Sequence, residues 1–406
     1  MTDWIPDWVV PIPGLARVAV ENTAKDEFLH RLITFMRDRL DYGYSSRTVY
    51  VPAIGRVDEY CLNTSGSKEL PRLWIVSHDG YLILYAAGLG SEGEELLVWQ
   101  QCIEHSLSTL GKRADVEWVA ILSQSPSDVA FAQKLTPSAD RSELQFRLLD
   151  GCISEDRSAT MSDVGVMVMP SFHWPIELSG VASCYAWGQD GDWRTAERVS
   201  VLVALLSLEW DSHWRIREGP RQSGVHWEGE APLMGHGWKR IEDDHPLARG
   251  QSVVVPRWLE KAESEVMRRT RTRDALVMHY QGLGLTAHNP SIALVCFIAA
   301  IETIAQLDRK PDRCEECKSV IGSRARFEEA IRPVLKPEQV ELLATAYAKR
   351  SRTVHQGKLH GAELRVEGWG PMSLFVPDPL FDFEKGTVLS ARRASRQLIL
   401  KQLPTN

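Results

Sequence analysis

The spacing of apolar positions changes part-way along the chain. Up to about residue 250, short strand-like runs alternate with helical ones. "RLWIVSHDGYLILYAA" (72–87), "VEWVAILS" (116–123), "VGVMVMP" (164–170) and "SVVVP" (252–256) are rich in β-branched and other apolar residues and predict strands. Between them, "AKDEFLHRLITFMRDRL" (24–40), "EELLVWQQCIEHSLSTLG" (94–111) and "WRTAERVSVLVALLSLEW" (193–210) repeat apolar residues at three- and four-residue steps and predict helices. Thr195 is placed to cap the last of these. Residues 217–251 are crowded with Gly, Pro and charge and predict a loop or linker. A loop of that length is uncommon inside a compact domain, so a domain boundary is expected in it or just after it.

Beyond Pro256 the helical period takes over. "RWLEKAESEVMRRTRTRDALVMHYQGLG" predicts one helix that stops at Gly282. "NPSIALVCFIAAIETIAQL" offers Asn289 as N-cap and Pro290 at the first helical position. "SRARFEEAIRPVL" breaks at Pro333, "PEQVELLATAYAKRSRTVHQG" runs from Pro337 to a C-cap at Gly357, and "TVLSARRASRQLILKQL" closes the chain. The expected fold class is α+β. A mixed α/β domain over 1–250, of unassigned role and suited to sensing or recognition, precedes an all-α helical bundle over 256–403.

Composition narrows the function. At 406 residues and 44% hydrophobic, the chain can bury ordinary cores, and its net charge of −7 excludes bulk electrostatic coating of nucleic acid. Any nucleic-acid contact must be local. The most apolar run, "IALVCFIAAI" (292–301), is shorter than the ~20 residues a membrane span needs. The start of the chain lacks the basic and apolar regions of a signal peptide. Seven cysteines, odd in number and mostly scattered, fit a reducing compartment, so the expectation is a soluble, cytoplasmic protein. Most of the 14 tryptophans lie in the first half, where they predict core and strand-pairing residues.

Two motifs carry little chemistry. "GLGSEG" (88–93) matches a dinucleotide-binding turn, but Glu92, Glu94 and Glu95 crowd a helix start where a pyrophosphate needs positive potential. It predicts a glycine turn. "CEEC" gives Cys314 and Cys317 the spacing of two zinc ligands. Two readings stand: a structural zinc completed by two further ligands, such as His279, His288, Cys296 or His360 or a partner chain, and a pair of free thiols in an interhelical loop.

"YAKRSRTVHQGK" (347–358) is more specific. It contains an R-x4-H pattern, Arg350 to His355, which also occurs at Arg221–His226 and Arg240–His245 in the linker. Only the third lies on a helix with an apolar stripe, formed by Val340, Leu343, Tyr347 and Val354, and Arg350 falls within that stripe. A desolvated guanidinium requires a carboxylate or phosphate. Glu302 follows ten consecutive apolar residues and is the expected partner. No acidic residue occurs from 342 to 362, while Arg352 and Lys358 add positive charge around His355.

A buried "AAIETI" helix, a CxxC loop, "RARFEEAI" and "YAKRSRTVHQG" together resemble the Apea-like branch of the HEPN superfamily, over about residues 256–403. The resemblance implies a metal-independent endoribonuclease, with Arg350 and His355 in the places of its R-x4–6-H motif and Ser351 as the polar residue after the arginine. It implies a homodimer whose two motifs line one RNA-binding cleft, a role as toxin or anti-phage defence effector, and an RNA substrate, with tRNA among the candidates. In that chemistry His355 would deprotonate a ribose 2′-OH, Arg350 would stabilise charge on the attacked phosphate, and Arg352 and Lys358 would hold flanking phosphates. The products would be a 2′,3′-cyclic phosphate and a 5′-OH, and no metal or other cofactor would take part. Five residues on an ideal helix set Arg350 and His355 about 140° apart at ~3.6 residues per turn. Convergence then needs long side-chain reach, fraying near Gly357, or one group from each protomer of a two-fold dimer. Some HEPN domains are not nucleases, so a dimerisation, nucleotide- or nucleic-acid-binding module is the alternative, with recognition by the N-terminal domain.

Overall fold

The computed structural model describes residues 9–11, 18–19, 24–40, 43–51, 55–63, 72–78, 81–87, 94–124, 133–136, 143–149, 152–155, 171–224, 238–241, 251–305, 323–361, 363 and 383–404. The protein is mixed α/β with a helical C-terminal region, as the change of period predicts. It divides into two compact units, residues 1–114 with 183–190, and residues 115–182 with 191–406.

In the first unit, β1 (Val9–Pro11), β2 (Val18–Ala19), β3 (Gly43–Val51), β4 (Gly55–Asn63), β5 (Arg72–His78) and β6 (Tyr81–Ala87) form one antiparallel sheet of order β1-β6-β5-β4-β3, with β2 also on β6. The expected strand region 72–87 is β5 and β6, paired from His78↔Tyr81 to Arg72↔Ala87. β3 and β4 carry polar residues at too many positions to stand out as an apolar run. Helices α1 (Lys25–Leu40) and α2 (Glu94–Thr109) pack together, burying Phe28, Leu32, Met36, Cys102 and Ile103. Two buried carboxylates are fully provided with donors. Glu27 accepts from Arg31 Nε and Gly111 N, each at 2.9 Å, and Asp190 accepts from Tyr185 N at 3.0 Å and from Arg113. The "GLGSEG" turn lies outside the described residues.

The second unit opens with β7 (Ala114–Gln124), β8 (Gln133–Thr136), β9 (Gln145–Leu148), β10 (Cys152–Glu155), β11 (Ser171–His173) and β12 (Ile176–Cys184). After α3 (Asp192–Trp210) come β13 (Trp214–Gln222), β14 (Trp238–Ile241) and β15 (Gln251–Val254). A sheet of order β13-β7-β12-β9 packs against α3 through β13, and β15 pairs in parallel with β8. The expected strands at 116–123 and 252–256 are thus β7 and β15; the one at 164–170 lies outside the described residues. The expected loop over 217–251 is corrected at its start and within, since β13 runs to Gln222 and β14 occupies Trp238–Ile241. Charged residues alternate along β13 on a half-exposed edge strand, which hides its period. Thr195 is not the N-cap of α3: that position is Gly191, and the buried Thr195 hydroxyl donates back to Gly191 O at 2.6 Å.

The helical part comprises α4 (Leu259–Arg268), α5 (Thr270–Leu285), α6 (Pro290–Ala305), α7 (Ser323–Ile331), α8 (Pro337–Gln356) and α9 (Leu389–Leu400). The single helix expected after Pro256 is two. Arg269 leaves helical geometry at φ −105°, ψ 88°, separating α4 from α5. Gly282 does not stop α5. It lets α5 close on α6, because a Cβ there would lie 2.6 Å from the Phe297 ring. Helix α6 is the hub, packing against α5, α7, α8 and α9 with Leu294, Phe297, Ile298 and Ile301 buried. Its start is as expected: Asn289 Oδ1 accepts from Ile292 N at 3.4 Å. Helix α9 ties the bundle to α3, with Arg392 Nε donating to Asp211 Oδ1 at 2.7 Å and Arg396 Nε to the Leu208 carbonyl at 2.6 Å. Cations at the C-terminal carbonyls of α3 complement its dipole.

Candidate functional site

Helix α8 carries the site, and its two ends are set by local chemistry. Pro 337 begins it after Lys336 in extended geometry, and Gly357 ends it in the left-handed conformation at φ 65°, ψ 18°. The glycine N–H donates to Thr353 O at 3.1 Å and Lys358 N to Arg352 O at 3.4 Å, closing the last turn. The Thr353 hydroxyl lies 2.9 Å from Lys358 O and 3.1 Å from Lys349 O, so one proton serves two carbonyls and the turn is held from inside.

The buried face of α8 differs from the expected stripe. Leu343 and Ala346 are buried as an apolar helix face requires, but Val354 is 53% exposed. Thr353, at 6%, takes the inner place. At ~100° per residue Arg350 points between the buried Leu343 and Ala346, and Val354 lies within ~20° of Tyr347, so Val354 is exposed at the end of the face and not by a turn of the helix. Arg350 therefore lies on the inward face between Tyr347 and Thr353.

Arg350 meets Glu302 of α6, as the sequence predicts. Its Nη2 donates to Glu302 Oε2 at 3.0 Å, with the side chains 29% and 14% exposed respectively. The other carboxylate oxygen accepts from the Tyr347 hydroxyl. The Tyr347 ring is packed in turn against Phe327 of α7, centroids 5.0 Å apart. Arg350 Nε is buried without a partner among the described residues. Glu302 thus holds one end of the guanidinium while about a third of the side chain reaches solvent.

His355 is exposed, as are Ser351, Arg352 and Lys358. The structure brings Arg350 and Glu302 together and leaves His355 on a different, outward face of the same helix. Within one chain the R-x4-H pair diverges.

The chain beyond Gly357 folds back onto the start of α6. His360 N donates to Ser291 Oγ at 2.7 Å, and Glu363 Oε1 accepts from Ser291 N at 3.2 Å. Burial lowers the pKa of the His360 imidazole, and Lys349, Lys358 and Arg352 push it the same way against Glu363. Lys349 Nζ sits 4.9 Å from the centre of the Phe383 ring. A field of cations therefore surrounds the end of α8 in a chain of net charge −7.

Sequence reasoning missed Tyr347, which it counted as apolar. Its place three residues before Arg350, on the same helix face, was the available signal, because a buried tyrosine hydroxyl needs a partner. Among the zinc-ligand candidates, His279 is wholly buried and its Nδ1 lies 2.8 Å from Ser395 Oγ. Cys314 and Cys317 lie outside the described residues, and among those described no group of three or more His, Cys, Asp or Glu side chains is arranged to hold a metal ion. The decoy arginines lie on β13 (Arg221) and β14 (Arg240), while His226 and His245 are outside the described residues.

Compared with models of known protein families, the chain matches none, and no curated protein matches it significantly. Among the described residues no helix is long and apolar enough to cross a membrane.

Proposed function

We propose that this protein is a metal-independent endoribonuclease of HEPN type, acting as a toxin or anti-phage defence effector. The observation that carries this reading is the Glu302–Arg350 pair between α6 and α8. A half-buried arginine is anchored at one nitrogen by a carboxylate, in a patch of positive charge and five residues before an exposed histidine. That arrangement suits a fixed bidentate donor to a phosphate that gains charge during transfer.

The reaction needs no redox step or metal. His355 takes the proton of a ribose 2′-OH, the 2′-oxygen attacks the adjacent phosphorus, and the bond to the 5′-oxygen of the next nucleotide breaks. The leaving oxygen takes a proton from the solvent or a second acid. Arg350 stabilises the added negative charge, and Arg352 and Lys358 hold flanking phosphates. DNA, without the 2′-OH, survives. Because Arg350 faces inward and His355 outward on one helix, the working centre takes its arginine and histidine from two protomers of a homodimer.

Incubation of the purified protein with total RNA in EDTA tests this. The expected result is cleavage with 2′,3′-cyclic phosphate ends, lost in His355→Ala and in Arg350→Ala. Intact RNA in the presence of candidate activators rejects it.

The same divergence of Arg350 and His355 favours a second reading, a non-catalytic dimerisation or nucleotide- or nucleic-acid-binding module. It predicts RNA binding or dimer formation with no cleavage.

A further inference from the structure

We infer that Tyr347 is a positioning residue that fixes the Arg350 guanidinium through the Glu302 carboxylate. The catalytic consequence rests on the ribonuclease reading; the mechanical one does not.

The two oxygens of Glu302 have separate duties. Oε1 receives the Tyr347 hydroxyl and Oε2 receives Arg350 Nη2. A glutamate carboxylate turns freely about its last torsion, so a single contact with Arg350 would leave its plane undefined. The tyrosine supplies the second point. It can do so because its own ring is fixed: Phe327, fully buried, lies against it at 5.0 Å with the planes tilted by 46°. Tyr347 and Arg350 are three residues apart on α8, so they approach the same carboxylate from adjacent turns.

The series Phe327, Tyr347, Glu302, Arg350 crosses three helices, α7, α8 and α6, and ends at Arg350, whose side chain is 29% exposed. Arg350 Nε has no partner among the described residues, which leaves Glu302 as the acceptor that sets the guanidinium plane. A polar tyrosine tip spent only on packing would not need to reach a carboxylate that already has a cation. Its hydroxyl contact determines which way the free edge of Arg350 faces.

The variant Tyr347→Phe removes the hydroxyl and keeps the ring on Phe327. Misorientation of a transition-state donor should lower kcat by about 10- to 100-fold while KM stays within roughly twofold, because phosphate contacts elsewhere are untouched. A merely structural hydroxyl would lower the unfolding midpoint and leave kcat alone. In the Glu302→Gln background the same change should add little, since the carboxylate it acts through is gone. A second readout needs no activity: rotation about the Arg350 Nε–Cζ bond, which exchanges the two Nη groups and breaks the Nη2 contact with Glu302, followed by side-chain NMR of the full chain, should quicken about tenfold or more in Tyr347→Phe. A kcat within twofold of wild type overturns the inference. If wild-type protein cleaves no RNA, the ribonuclease reading fails on its own, and the exchange measurement decides alone: quickened exchange upholds the positioning role, and unchanged exchange overturns it.

Discussion

Replacing Glu302 with alanine tests the centre of the structural reading, and its cost follows from the contacts. The variant removes two hydrogen bonds to a charged acceptor, from Tyr347 and from Arg350. Such bonds contribute roughly 1.5–3 kcal/mol each when fully buried. The Arg350 side chain is 29% exposed, so water can replace part of what it loses and its share falls to about 1 kcal/mol. Glu302 is 14% exposed, so the tyrosine bond keeps most of its worth. The expected loss is therefore about 2–3 kcal/mol, below the ~3–5 kcal/mol of a wholly buried pair that is broken. Glu302→Gln retains the shape and one acceptor oxygen and should lose about half as much. Chemical denaturation followed by circular dichroism measures both, and a cycle with Arg350→Met isolates the coupling, expected near 1 kcal/mol. A loss under about 0.5 kcal/mol for Glu302→Ala would refute the reasoning, because surface carboxylates lie in that range.

Other expectations follow from single residues. His279 is buried at 0% exposure and its pKa falls from 6.5 to about 3, chiefly by desolvation. Ser395 donates to Arg392 O at 2.9 Å, so neutral His279 donates from Nδ1 to Ser395 and leaves Nε2 without a partner among the described residues. The unfolded chain binds this proton more readily, so stability is intact above about pH 6.5 and falls toward pH 3, by about 2 kcal/mol between ~pH 7.5 and ~pH 5; His279→Gln should flatten that slope in denaturation at several pH values. Gly282→Ala should destabilise by about 1–2 kcal/mol despite the better helix propensity of alanine, since the new Cβ meets the fully buried Phe297; unfolding midpoints decide it. If Cys314 and Cys317 bind structural zinc, elemental analysis should find about one zinc per chain, or half if two protomers share an ion, and brief EDTA should leave RNA cleavage unchanged.

What the sequence discloses depends on how completely an element is buried. Helices α6 and α8 are legible because apolar residues mark their inner faces and Asn289, Pro290, Pro337 and Gly357 mark their ends. The Glu302–Arg350 pair is legible because a charge within an apolar surround needs an opposite charge. The strands β3, β4 and β13 are not, because their charged and hydroxyl side chains blur the period of two. The break at Arg269 leaves no Gly or Pro to betray it. Tyr347 was hidden by its own ambiguity: an aromatic ring satisfies an apolar pattern whether or not the hydroxyl has a task.

The error over Val354 bears most directly on function. The stripe read from the sequence counts Val354, the neighbour of His355, among the inward residues. The structure instead turns Thr353 inward, to hold the Lys349 and Lys358 carbonyls, and leaves Val354 and His355 in solvent. Fraying at Gly357 cannot easily restore convergence, because the last turn is closed by two backbone bonds and the Thr353 hydroxyl. Long reach is also limited, since Arg350 is held from behind by Glu302. Of the three routes by which Arg350 and His355 could act on one phosphate, the supply of each from a different protomer asks least of this helix. Val354, 53% accessible, lies beside His355, so a charge there tests such a contact. On the proposed reading the dimer and the catalysis stand or fall together: a variant such as Val354→Lys that keeps the protein monomeric should abolish cleavage while Glu302, Tyr347 and Arg350 remain in place. RNA cleavage by a monomer, shown by sedimentation at the assay concentration, would reject the shared centre and leave only convergence of Arg350 and His355 within one chain.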